Sequence, residues 1–256
     1  MDEPAGREQQ DPNRLPTASG IFVTGTGTEV GKTVVAAAIA RTLADDGLSV
    51  AVFKPAVTGL DEQPEDPPSP LIDGDPAPRA LPDHELLRLA AGSTQSDEEI
   101  APYRYGPAAS PHLAAALADD EIEPKRLRET ARSAAIGADA LVCEGVGGFL
   151  VPLAPDYLVR DLAVDLALPL AIAAAPGLGT INHTLLTIEA ARAAGLEVAA
   201  VVLTPWPQHP TAIERSNRET IASLADVPVE TLAPLDLGDP PSWPPLRLSM
   251  GRFPSI

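Results

Sequence analysis

Residues 25–33 read Gly25-Thr-Gly-Thr-Glu-Val-Gly-Lys-Thr33, and this stretch decides the fold. It follows a short apolar run from Gly20 to Gly25 (GIFVTG), which reads as a buried strand. It precedes a helical pattern with Val34, Val35, Ala38, Ile39 and Leu43 on one side, closed by Gly47 as a helix C-terminus is closed by glycine. Glycines between a strand and a helix let backbone N–H groups approach an anion unhindered, and the helix N-terminus behind them favours negative charge. Lys32 supplies a cation for β- and γ-phosphates, and the Thr33 hydroxyl supplies an oxygen for Mg²⁺. Gly31, Lys32 and Thr33 therefore mark a phosphate site. The strict spacing G-x-x-x-x-G-K-[ST] is missed by one place, because Thr26 stands at its first glycine and Gly25 lies one earlier.

Working outward, Ser49 to Lys54 (SVAVFK) reads as the next strand, so residues 20–54 form a strand–helix–strand crossover. Beyond it, the pattern predicts helices at 83–91, 111–118 and 124–136, a strand at 139–143, a helix at 157–167 and a strand at 169–174. A helix at 180–194, a strand at 198–203, a helix at 211–224 and a short strand near 229–233 follow. Strands alternating with helices predict an α/β fold, a mainly parallel sheet with helices on both faces. One domain spans 20–235, flanked by a flexible tail at 1–19 and a weakly structured, proline-rich tail at 236–256. Residues 61–82, rich in proline and acids, read as an exposed loop.

The 256 residues carry 36 acidic against 18 basic side chains, a net charge of −18 that argues against general binding to nucleic acid or anionic lipid. No apolar run reaches the ~20 residues of a membrane span, and the acidic N-terminus is unlike a targeting peptide. With a single cysteine, Cys143, no internal disulfide forms, which suits a reducing, cytoplasmic setting. Lysine is confined to Lys32, Lys54 and Lys125. Such an acidic, lysine-poor surface fits a salty cytoplasm and fits a GC-rich genome equally well.

A family resemblance joins these features. TGTGTEVGKT (24–33) and KPAVTG (54–59) are followed in order by ASPH (109–112), VCEGVGG (142–148), Pro152-Leu153 and LGTINHTLLT (178–187). Together these runs resemble dethiobiotin synthetases over about residues 20–235. The resemblance implies a P-loop NTPase-like, seven-stranded sheet, a homodimer, and conversion of 7,8-diaminopelargonic acid, CO₂ and MgATP to dethiobiotin, ADP and phosphate. By the same resemblance Lys54 and Lys32 are the catalytic lysines, with Lys54 stabilising the substrate carbamate and the transferring phosphoryl group. Nucleotide contacts fall on Glu29, Val30, Gly31, Lys32, Thr33, Val34, Asp83, Glu144, Gly145, Val146, Gly147, Thr204, Pro205 and Pro234. Substrate contacts fall on Thr28, Thr58, Gly179, Thr180 and Asn182, and Mg²⁺ falls to Thr33, Asp83 and Glu144.

Read chemically, Lys54 and Glu144 end strands at the edge where open α/β sheets bind ligands. A surface lysine and a turn-capping acid are the plainer readings of the same positions. Asp83 opens DHELL (83–87), and Asp73 and Asp75 are rival acids for its role. His112 and His183 read as structural histidines, and Cys143 as a small buried hydrophobe.

Two positions depart from the family. Thr204 stands where an asparagine contacts adenine, which leaves ATP or a broader set of nucleoside triphosphates as the co-substrate. Ser216 or Asn217 occupies the region of a tyrosine contributed by the partner subunit. The competing classes are a partitioning or assembly ATPase, which carries an early loop lysine where this chain has Gly27, and a related amidoligase with an appended glutaminase domain.

Overall fold

The apolar run ahead of the glycine-bearing loop forms strand β1 (Ser19–Gly25), and the pattern behind it forms helix α1 (Lys32–Asp45), in a computed structural model that describes residues 18–61 and 81–252. Most of the expected tail at 1–19 and loop at 61–82, with Asp73 and Asp75, lies outside the described residues. Strand β2 (Val50–Phe53) completes the first crossover. Helices α2 (Asp83–Ala91), α3 (Asp97–Ile100), α4 (Pro111–Leu117) and α5 (Pro124–Ala135) lead to β3 (Ala140–Glu144). A hairpin of β4 (Pro152–Ala154) and β5 (Tyr157–Leu158) precedes α6 (Val159–Leu166) and β6 (Leu170–Ala174). The chain ends through α7 (Thr180–Ala193), β7 (Val198–Leu203), α8 (Ala212–Ala225), β8 (Val229–Thr231) and β9 (Gly251–Arg252).

Six strands run parallel in the order β2-β3-β1-β6-β7-β8, and β9 adds a seventh, antiparallel to the start of β1. Parallel strands buried on both faces read as continuous apolar runs, which is why FVTG, ALVC and LAIAA carry no alternation. Successive side chains still take opposite faces. Ile21, Val23, Val52 and Val142 pack against α1 and α2, whereas Phe22, Phe53, Leu141 and Cys143 pack against α5 and α6. A third cluster joins β6 and β7 to α7 and α8 through Ile172, Val201, Ile188 and Ile221. From β1 the chain moves outward to β2, returns to β3, and then places β6 on the other side of β1. That reversal opens a crevice at the carboxyl end of β1, where such sheets bind ligands.

Two expectations need correction. The helix expected from 157 starts at Val159, because Tyr157 and Leu158 pair with β4. The stretch from Asp236, expected to be weakly structured, is packed as far as Arg252. Trp243 and Leu246 are buried against α1, the Leu246 N–H donates to Thr42 Oγ1 at 2.8 Å, and β9 pairs with β1. Its prolines suppress regular hydrogen bonding without preventing apolar burial. Among the described residues, no helix is long and apolar enough to cross a membrane.

Candidate active site

Sheet register brings the reactive groups together. Phe53 pairs with Cys143, so Lys54 leaves β2 level with Glu144 at the end of β3. Val142 faces α1, and Glu144, two residues on, faces the same way. The first turn of α1 meets it there, where the Thr33 hydroxyl donates to Glu144 Oε1 at 2.8 Å. Lys54 Nζ lies 2.6 Å from the same oxygen and 2.7 Å from Asp83 Oδ2. Asp83 reaches the site because α2 packs on α1 and begins at this edge, an acid in a first helical turn where the dipole favours it. Lys32 donates from Nζ to the Gly27 carbonyl at 2.7 Å, curling the loop over its own lysine.

The loop backbone explains its glycine. Gly31 has φ of 86°, and a Cβ there would lie 2.5 Å from Thr204 Cγ2. Any side chain would be strained in this conformation and would also push β7 away from the loop.

The electrostatics follow from burial. Glu144 is fully buried, which pushes its carboxyl above the ordinary range against the pull of Lys54 and the Thr33 hydrogen bond. Burial draws the Lys54 pKa down, but Glu144 and Asp83 more than offset it, so the ammonium is held above its usual value. Burial likewise opposes ionisation of Asp83, yet Lys54 and Thr33 bring its carboxyl below the usual range. Lys32 is lowered by burial, with Glu144 opposing. One cation thus bridges two acids, and Lys32, bonded to the Gly27 carbonyl, is paired with neither among the described residues.

The donor set can be tested for Mg²⁺. Glu144 Oε2 is buried and has no hydrogen-bond partner, an oxygen left for a cation or its water. Among the described residues, no cluster of three or more His, Cys, Asp or Glu side chains could cage a metal. Two carboxylates and one hydroxyl beside a phosphate loop are what Mg²⁺ uses when it keeps waters and takes its remaining ligands from phosphates. Thr33, Asp83 and Glu144 fit that ion.

These groups open into a cleft of about 760 Å³. Of the residues expected from sequence, Thr28, Glu29, Gly31, Lys32, Thr33, Val34, Lys54, Thr58, Asp83, Glu144, Val146 and Gly147 line it. Val30, Gly145, Thr204, Pro205 and Pro234 do not; Gly145 faces Val159 and Phe22, and Thr204 is buried with its methyl group on Gly31. Gly179, Thr180 and Asn182 also lie outside this cleft, at the start of α7, and the Thr180 hydroxyl is buried 3.4 Å from that of Thr184. Asn217 donates from Nδ2 to the Pro176 and Gly177 carbonyls at 2.9 and 3.0 Å, bracing the loop before α7. The cleft also takes in Ser110, Pro111, Leu81 and Leu237, which carry no chemical signal in sequence beyond the ASPH run.

A phosphate loop at the central strand of a parallel sheet, with a paired lysine and two acids beside it, defines a P-loop nucleotide-binding protein. A family model described as an AAA domain matches residues 19–235. The septum site-determining protein MinD from Pyrococcus horikoshii, solved with Mg-ADP, is similar in fold, with a TM-score of 0.50 at 14% identity over 84% of this chain and 81% of that one. Closer in sequence is an ATP-dependent dethiobiotin synthetase from Rhodococcus erythropolis, 41% identical over 85% of this chain and 88% of its own length. One from Bacillus subtilis is 33% identical over 84% of this chain and 87% of its own length. The chain belongs to the ATP-dependent dethiobiotin synthetase family.

Proposed function

We propose that the protein closes the ureido ring of dethiobiotin from 7,8-diaminopelargonic acid and CO₂, converting ATP to ADP and phosphate. One amine of the diamine takes up CO₂ as a carbamate, the γ-phosphoryl group passes to a carbamate oxygen, and the second amine displaces phosphate as the ring closes. The observation that carries this reading is Lys54, buried between Asp83 and Glu144 on the wall of the cleft that also holds Lys32 and Thr33. Phosphoryl transfer to a carbamate crowds anionic oxygens together, so a fixed cation matters most in the transition state. Lys32 and the loop N–H groups hold the phosphates, and Thr58 and Thr28 face the diamine. Mg²⁺, when bound by Thr33, Asp83 and Glu144, supplies charge neutralisation at the β- and γ-phosphate oxygens.

The reading extends to a cytoplasmic homodimer. Gly179, Thr180 and Asn182 lie outside their own cleft, and Leu178 and Leu186 beside them are 95% and 56% exposed, which supports delivery of this edge to a second copy. The deciding experiment incubates the protein with the diamine, bicarbonate, Mg²⁺ and ATP and detects dethiobiotin by mass. Phosphate release that ignores the diamine, with no dethiobiotin formed, would return the protein to the ATPase class.

A further inference from the structure

Among the described residues β2 is an edge strand, paired with β3 alone. The backbone groups on its outer side are nevertheless satisfied. The Lys54 N–H donates to the Ile100 carbonyl at 2.8 Å, and beyond the strand the Val57 N–H donates to the Tyr103 carbonyl at 3.0 Å. At Val52 the partner is a side chain. The Val52 N–H donates to Gln95 Oε1 at 2.8 Å, and the Val52 carbonyl accepts from Gln95 Nε2 at 3.1 Å. A primary amide carries a donor and an acceptor side by side, as a peptide group does, so Gln95 stands in for one residue of a neighbouring strand. Ser93 fixes the amide in turn: its hydroxyl donates to Gln95 Oε1 at 3.0 Å and accepts from the Gln95 N–H at 3.2 Å.

This pairing touches the site through the strand. Val52 is fully buried, and Lys54, two residues on, takes the same face of β2. Helix α2, which opens with Asp83, ends at its Gly92 cap, and Ser93 and Gln95 follow directly. One amide therefore ties the far end of the helix that carries an acid to the strand that carries the lysine. We infer that Gln95 is a positioning residue for Lys54, pinning the outer edge of β2 so that the ammonium is held within 2.7 Å of both Glu144 and Asp83. This inference rests on the transition-state role given to Lys54.

The test is a double-mutant cycle on dethiobiotin formation, followed by mass below the melting temperature of every variant. Gln95→Met keeps the length of the side chain and removes its amide. Misplacing a reacting group by about 1 Å costs roughly 10²-fold in rate, and a loosened edge residue gives less play than that, so kcat should fall about tenfold. The KM for ATP should stay within about twofold, because the phosphate loop is untouched. In the Lys54→Met background the same substitution should cost less than about twofold, since a group that acts through Lys54 has nothing left to position. Should Gln95→Met fail to fold, Gln95→Glu keeps the acceptor for the Val52 N–H, loses the donor to the carbonyl, and carries the same comparison. An equal loss of kcat in both backgrounds would mean that Gln95 merely supports the sheet, and an unchanged kcat in the folded single variant would mean that β2 needs no such pin; either overturns the inference. Lys54→Met turning over at the wild-type rate would overturn the role of Lys54 and the inference with it, a result separate from both.

Discussion

Lys54→Met keeps an unbranched side chain only one atom shorter and removes its charge, which separates what the lysine does for the fold from what it does for the reaction. Lys54 is 3% exposed and its two partners differ: Glu144 is fully buried, and Asp83 is 44% exposed. Breaking a buried pair by deleting one partner costs about 3–5 kcal/mol. Asp83 can be rehydrated, and Glu144 can take up a proton, which sets the expected loss at the lower end, about 3 kcal/mol. For a domain of this size that lowers Tm by roughly 6–12 °C. The pH dependence has a definite sign. Without Lys54 the Glu144 carboxyl is raised still further above its unfolded value, so the native state holds the extra proton. The variant therefore comes closest to wild-type stability below the ordinary glutamate pKa of about 4.3 and loses ground as pH rises through the raised native value. Catalysis should suffer separately, with kcat falling roughly 10²–10³-fold because a preorganised cation at the transferring group is gone. ATP affinity should change little, since Lys32, Thr33 and the loop N–H groups remain. Dethiobiotin formation, followed by mass well below the variant's Tm, measures the rate, and thermal unfolding measures the fold. A Lys54→Met, Glu144→Gln double variant should regain stability without regaining rate. Recovery of rate together with stability, or a rise in ATP KM at unchanged kcat, would refute the transition-state role.

Asp83→Asn should sharply raise the Mg²⁺ concentration needed for half-maximal activity; unchanged Mg²⁺ dependence would move the ligand to another acid such as Asp73 or Asp75. Thr204 presents its methyl group to Gly31 and no amide to a base, so CTP, GTP and UTP should support turnover to within about tenfold of ATP in kcat/KM. A preference for ATP above about a hundredfold, worth some 2.7 kcal/mol, would show that adenine is still read by polar groups. Cys143 is fully buried and its thiol is pushed up by burial, so a thiol reagent should leave the native protein unmodified and label it only on unfolding.

The core of this fold was legible because its strands are buried on both faces and its helices are amphipathic. GIFVTG, SVAVF and ALVC are too apolar for a surface strand, and glycines punctuate them where the chain turns. What escaped the sequence are the pairings that rest on two or three residues. The β4–β5 hairpin and β9 are too short to show any period, and β9 lies some 230 residues from its partner, so only the folded sheet reveals it. The stretch from Asp236 hides its packing for a related reason: Trp243 and Leu246 are isolated apolar residues among prolines, and isolated anchors carry no periodicity even when they are buried.

The site divides along the same physical line. Gly31, Lys32 and Thr33 are legible because contiguous residues build a phosphate loop, so spacing along the chain is spacing in space. Lys54, Asp83 and Glu144 come from three separate elements, and neither composition nor period could have joined them. The family resemblance proposed the set, and register then put Lys54 Nζ within 2.7 Å of both carboxylates. Position 204 is harder still. There the sequence offers an absence, a threonine in place of an asparagine, and the absence gains physical meaning only when Thr204 is seen buried against the loop glycine. A threonine turned inward to let the loop sit close offers a base no amide pair of donor and acceptor.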